Sequence, residues 1–444
     1  MKIPRHLLIA ATGWGSRIVG AVVQIALIRV IVRTLGADQY AAFAVLYALS
    51  TWFLLADLGL GFSLQNALSE RKAHGKAYGG LIRKVISVVF GILSLELVVL
   101  AALSNSAANR LLYQFPFLSS QSKWILFFTA CCLLLIAGVG QLSYKIWYGE
   151  QKGYLSNIIP ALSQLIGLGA VCATIHFSRS MESIIVAYLL PPAVVGFACL
   201  TKLWLRTAEE QPDGDKWWPP LLRKAAGFGA FGVAGAFVLQ VDLIIVSQFL
   251  PPRQIATYAV ISRIFSFVFL IYSSALLALW PVCSEHLARN NWAPVQRYVR
   301  YYIIIGSLFV AAFTLLIAAE KKTIVSVVAP GGALEVPLGS ILLFGALYLV
   351  RVWTDTFAMV LQSKSMLLPL WISTPIQALL SVLFQILLIP RLGLSGAILG
   401  VIGSFLLTAS WILPVFVFKS FGRMRTTWPE KVMENEIIGL HSDL

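Results

Sequence analysis

Charge is scarce in this chain: only 12% of its 444 residues are Asp, Glu, Lys or Arg, about half the share of a soluble domain. So few charges cannot cover the water-facing surface of a globule this size, so a water-soluble fold is excluded. Cysteine is sparse too. The five, Cys131, Cys132, Cys172, Cys199 and Cys283, sit in or beside apolar runs, with no CxxC pair and no zinc spacing. A disulfide framework, a redox role and a structural metal are therefore not expected. The chain has no GxxxxGK[ST] loop, no HExxH and no GxSxG, so nothing signals ATP hydrolysis, zinc proteolysis or a serine hydrolase. The connections between apolar runs reach only about twenty residues. That leaves no room for an inserted soluble domain or a large catalytic loop.

What is present is apolar: 59% hydrophobic residues and a mean hydropathy of +0.83. A bilayer core about 30 Å thick takes about 20 apolar residues as helix, and its dryness forces the backbone to satisfy itself. The runs are long and continuous rather than alternating, which favours helices over a barrel. We expect an all-α polytopic membrane protein with twelve spans, near 7–32, 40–60, 81–103, 123–144, 154–176, 183–203, 225–247, 255–280, 301–319, 338–361, 368–389 and 396–418. The first run is too long for a signal-peptide core and lacks a cleavage pattern, so it reads as the first span. With the N-terminus placed in the cytoplasm, 22 of the 34 Lys and Arg fall in inner segments and 8 in outer loops. The expectation is a multi-pass protein with both termini cytoplasmic. The formal net charge of +15 then follows from topology and needs no nucleic acid.

The two halves match at one fixed offset of 215 residues. Gln39-Tyr40-Ala41-Ala42-Phe43-Ala44-Val45 aligns with Gln254-Ile255-Ala256-Thr257-Tyr258-Ala259-Val260, Ser69-Glu70 with Ser284-Glu285, and Pro160 with Pro375. Six spans separate the copies, an even number, so the repeats are parallel. In transporters of that kind the site lies between the halves near the midplane. The expected domains are an N-terminal lobe at 1–208, a cytoplasmic linker at 209–222, a C-terminal lobe at 223–419 and a cytoplasmic tail at 420–444.

Several short patterns carry a family likeness. Arg33-Thr34-Leu35-Gly36 closes the first span. Asp57-Leu58-Gly59-Leu60-Gly61 is followed by Gln65-Asn66 and Ser69-Glu70. Gln240-x-Asp242 precedes Tyr258 and Trp280-Pro281. These resemble the O-antigen and polysaccharide flippases (the Wzx type) of the multidrug/oligosaccharidyl-lipid/polysaccharide exporter superfamily, and Ser16-Arg17-Ile18-Val19-Gly20 resembles the related lipid II flippases. The resemblance spans the whole chain. It implies a V-shaped bundle of two six-helix lobes and a cation-rich cavity. It also implies an undecaprenyl-diphosphate-linked oligosaccharide as substrate, moved across a bacterial inner membrane. Polysaccharide polymerase and glycosyltransferases are the implied partners. The second half departs from the first by carrying Pro251-Pro252 where the first has Gly36-Ala37.

Ionisable residues inside spans are costly and often functional. Here they are Arg17, Arg29, Arg263, Arg351, Asp57, Glu96, Asp242 and Asp355. Four of each sign make structural pairing a serious alternative. Arg351 and Asp355 stand i, i+4 on one helix, and Asp242 and Arg263 lie at similar depth across a short turn. Arg29 and Asp57 lie near span ends, where snorkelling to the interface is open to them. Arg17 lies about ten residues into the first span, with Gln24 on the same face. The guanidinium fork matches phosphate oxygens, so the expected substrate residues are Arg17, Gln24, Arg29, Arg263 and Arg351. The expected ion-coupling residues are Asp242, Glu96, Asp57 and Asp355. No cofactor is expected beyond a coupling proton or sodium ion. Two rival readings stay open: a multidrug/cation antiporter of the same superfamily, and a membrane-embedded polysaccharide-assembly enzyme or subunit.

Overall fold

The computed structural model describes residues 5–207, 218–330 and 334–421. Residues 209–217 of the expected linker and 422–444 of the expected tail lie outside them, with Lys2, Lys216, Arg423, Arg425 and Lys431 of the charge bias. All regular structure among the described residues is helical, as a dry solvent demands of long apolar runs.

The first repeat runs α1 (Arg5–Leu35), α2 (Ala37–Ala48), α3 (Ser50–Phe53), α4 (Leu60–Ala73), α5 (Gly79–Leu111), α6 (Ser120–Gly149), α7 (Gly153–Phe177) and α8 (Met181–Arg206). The second runs α9 (Trp218–Leu239), α10 (Asp242–Phe249), α11 (Pro252–Ala288), α12 (Trp292–Ala319), α13 (Lys321–Val328), α14 (Leu338–Ser363), α15 (Leu368–Leu392), α16 (Leu394–Leu407) and α17 (Ala409–Phe421). Two entries into spans are capped by serine, Ser119 accepting from the Ser122 N–H and Ser180 from the Ser183 N–H. Such caps satisfy backbone donors that a helix start leaves unpaired.

Eleven helices among the described residues are long and apolar enough to cross a membrane. The expected span at 40–60 is the exception. It is broken into α2 and α3, a stretch of turns from Leu54 to Gly59, and α4. Leu58 and Gly59 there take φ of 51° and 80°, a left-handed region that ends a helix and that glycine enters without strain. The expected span at 225–247 is also interrupted, between α9 and α10.

The duplication read from sequence reappears in helix bounds. The α2–α4 segment covers 37–73 and α11 covers 252–288, both ends displaced by 215 residues; α7 and α15 share the same displacement, as do the ends of α8 and α17. Gly75 after α4 and Asn290 after α11 both take positive φ, 65° and 55°.

Contacts divide the described residues between two compact units. One draws on Met1–Arg263, Glu320–Pro337 and Gln385–Ala397, the other on Ile264–Ala319, Leu338–Phe384 and Ile398–Leu444. In the first unit α6 packs on α4, α5, α7 and α8, α1 on α7, and α4 on α9. Its core gathers Leu64, Val85, Ile86, Val89, Val139, Leu142 and Ile146. In the second unit α14 packs on α12 and α17.

Candidate functional site

In the first unit the break before α4 creates a polar centre. Asp57 is only 1% exposed and takes three donors: Lys145 Nζ at 2.7 Å, the Gly59 N–H at 3.0 Å and the Gly61 N–H at 3.2 Å. The carboxylate thus caps the start of α4, where free N–H groups and the helix dipole favour a negative charge. Lys145 lies on α6, 13% exposed, with its ammonium 4.2 Å from the centre of the Phe62 ring. Asp57 therefore does not snorkel. Lys145, expected in an inner loop, instead belongs to α6, which runs five residues beyond the expected span end at 144. Glu96 on α5 is half-buried, lies in the field of Asp57 and keeps its Oε2 buried without a hydrogen bond among the described residues.

The other charges of this unit find different company. Arg263 lies 5.6 Å over the ring of Tyr47, which packs with Phe43 and Tyr188. Asp242, in the first turn of α10, accepts from Gln385 Nε2 at 3.0 Å and from Tyr258 Oη at 3.2 Å. The expected Asp242–Arg263 neighbours are thus each bound to an aromatic or amide side chain. Arg29 is exposed and donates to the Val327 carbonyl at 2.7 Å, in the last turn of α13, where a cation meets the negative end of a helix. Arg17 is exposed on α1 and Gln24 is half-buried.

In the second unit Arg351 and Asp355 pair at 3.1 Å, as their i, i+4 spacing allows. The guanidinium also lies 4.3 Å over Phe269 and 5.4 Å from the Tyr348 ring centre, so its free orientation is limited by cation–π contact.

Two polar partners escaped the sequence reading. Lys145 was hidden by a span boundary set at 144, five residues short of the end of α6. Gln385 was hidden by lacking charge. A visible signal for it is the row Ser373, Gln377, Ser381 and Gln385, every fourth residue of α15, all buried.

Helices of this length and number, a two-copy chain and paired charges inside the spans define a multi-pass membrane transporter, and the solved structures agree on the fold. The chain aligns over 95% of its length with the whole of an inward-facing multidrug resistance MATE family transporter of the MOP superfamily, at a TM-score of 0.71 and 14% identity. It aligns over 93% of its length with 87% of the lipid II flippase MurJ, at a TM-score of 0.66 and 14% identity. Residues 233–334 match the MatE family. A Yersinia pseudotuberculosis protein named for O-antigen export is 37% identical, covering 95% of this chain and 97% of that protein. The chain belongs to this O-antigen transporter family.

Proposed function

We propose that the protein is a flippase. It carries undecaprenyl-diphosphate-linked oligosaccharide units from the cytoplasmic to the periplasmic leaflet of a bacterial inner membrane by alternating access, with both termini cytoplasmic. The observation that carries this reading is the near full-length relationship to a protein named for O-antigen export. The fold shared with a lipid II flippase supports it, as do the four arginines placed inside spans.

Arg17 and Arg351 bind the diphosphate in this proposal, with Gln24, Arg29 and Arg263 lining the polar route. Guanidinium donors suit phosphate oxygens, and ionisable residues inside spans often mark function. A proton or sodium gradient drives the cycle through Asp242, Glu96, Asp57 or Asp355. Polysaccharide polymerase and glycosyltransferases act before and after it. Because an anionic cargo is best served by arginine, the cation-antiporter reading ranks second.

The test is deletion of the gene, with lipid-linked oligosaccharide measured by mass spectrometry and surface polysaccharide measured in parallel. Accumulated diphosphate-linked units with loss of surface polymer are expected, and their mass names the glycan. Unchanged amounts of both, with new sensitivity to cationic drugs, overturn the flippase reading in favour of drug export. In the complemented strain, Arg17→Ala/Arg351→Ala at normal abundance should lose at least nine-tenths of surface polymer.

A further inference from the structure

The two repeats join their second and fourth helical segments at the same level by different chemistry. In the second repeat Tyr272 of α11 meets Thr356 of α14, hydroxyl to hydroxyl at 2.6 Å, both buried. Displaced by 215 residues, Tyr272 corresponds to Asp57. There the first repeat carries the Asp57–Lys145 ion pair between the α2–α4 segment and α6. Packing alone does not require charge, since a neutral contact serves in the other copy and buried ion pairs are often replaceable by apolar groups without loss. The charged version coincides with the broken segment and the neutral one with an uninterrupted helix of 37 residues.

Three further features make the break a designed joint. From Leu55 to Leu60 the backbone is held by short i to i−3 bonds: Leu55 to Trp52, Ala56 to Phe53, Leu58 to Leu55 and Leu60 to Asp57. Leu58 sits at φ 51°, a strained place for a γ-branched side chain. Neighbours approach so closely that only glycine fits. A Cβ on Gly59 would meet the Ala225 carbonyl and the Gly229 N–H of α9, and one on Gly138 of α6 would meet the Phe53 carbonyl. Backbone from both neighbours thus wraps the turn, while its one fixed charge is neutralised from α6.

We infer that Lys145 is a positioning residue for transport. It latches Asp57 over the start of α4, and this latch holds the first turn of that helix against the break before it; release lets that turn fray. The inference rests on the flippase reading only for its transport arm.

The experiment uses the full chain in detergent and in the deletion strain. Asp57→Asn/Lys145→Met removes both charges and leaves none unpaired, so it is the folding-competent variant, and Tyr272→Phe/Thr356→Val is the matched control in the second repeat. Amide hydrogen exchange should rise at least tenfold at Gly61–Leu64 in the first variant, with α5–α8 unchanged, and should not rise at those residues in the control. Surface polysaccharide should fall at least tenfold in the first variant at equal abundance and stay normal in the control. Wild-type exchange at Gly61–Leu64 in the charge-free variant overturns the latch. Raised exchange combined with normal polysaccharide overturns the role of Lys145 in transport. If gene deletion itself leaves the polysaccharide intact, the flippase reading falls and the exchange arm alone decides the latch.

Discussion

Residues 37–73 place Asp57, Leu58 and Gly59 where residues 252–288 place Tyr272, Ser273 and Ser274, and the two stretches fold on different plans. In 252–288 every residue continues one helix; Ser273 and Ser274 turn their hydroxyls onto the Leu270 carbonyl. In 37–73 the aspartate accepts the N–H groups of Gly59 and Gly61 and starts a new helix. A carboxylate that reaches forward to N–H groups two and four residues on competes with the helix for its donors, whereas a serine hydroxyl bonding back to its own helix leaves the ladder whole. The lesson is that one repeat of this transporter spends a buried charge on a joint and the other uses a neutral hydroxyl pair on a rod. A second contact is shared with its roles exchanged. Lys72 at the end of α4 donates to the Glu150 carbonyl at 2.7 Å, and Lys364 after α14 donates to the Leu287 carbonyl at 2.9 Å near the end of α11. Both copies thus tie the same two ends, the lysine coming from opposite sides.

The sharpest way to break the comparison is Lys145→Met alone. It leaves the Asp57 carboxylate buried without its cation, for which a loss of about 3–5 kcal/mol is expected. Denaturation in detergent should show that loss, and the membrane should hold little folded protein. Next, Gly138→Ala forces a methyl group against the Phe53 carbonyl. An overpacked contact costs about 1–3 kcal/mol, and the same denaturation assay reads it. In the second copy, Tyr272→Phe removes the contact with Thr356 and a long 3.5 Å bond to the Val352 carbonyl, which the Thr356 hydroxyl still reaches. A loss of about 1 kcal/mol is expected, with transport retained. The smallest effect belongs to the exchanged ties. Lys72→Met and Lys364→Met should each cost about 1 kcal/mol or less, and equal effects from the two would confirm that the tie is shared.

Much of this was legible before any coordinates. Twelve apolar segments, the 215-residue offset and the charge asymmetry are one-dimensional properties, because a bilayer reads the chain through length and hydropathy. The i, i+4 pairing of Arg351 with Asp355 was legible for the same reason, being local to one helix. Asp57, Gly59 and Gly61 were visible as a pattern, yet not as a break, since a 21-residue apolar run looks the same straight or kinked.

Partners distant in sequence were decided by packing. Lys145 reaches Asp57 across 88 residues and Gln385 reaches Asp242 across 143, and no periodicity records such a meeting. Composition fixed that this is a multi-pass membrane protein, and the residue matches at a 215-residue offset fixed its duplicated plan. Which charges neutralise each other depended on how close α6 comes to the turn before α4. That closeness relies on Gly138, which leaves space for the Phe53 carbonyl, and on Gly61, which leaves space for the Lys145 side chain, a three-dimensional condition that hydropathy does not encode.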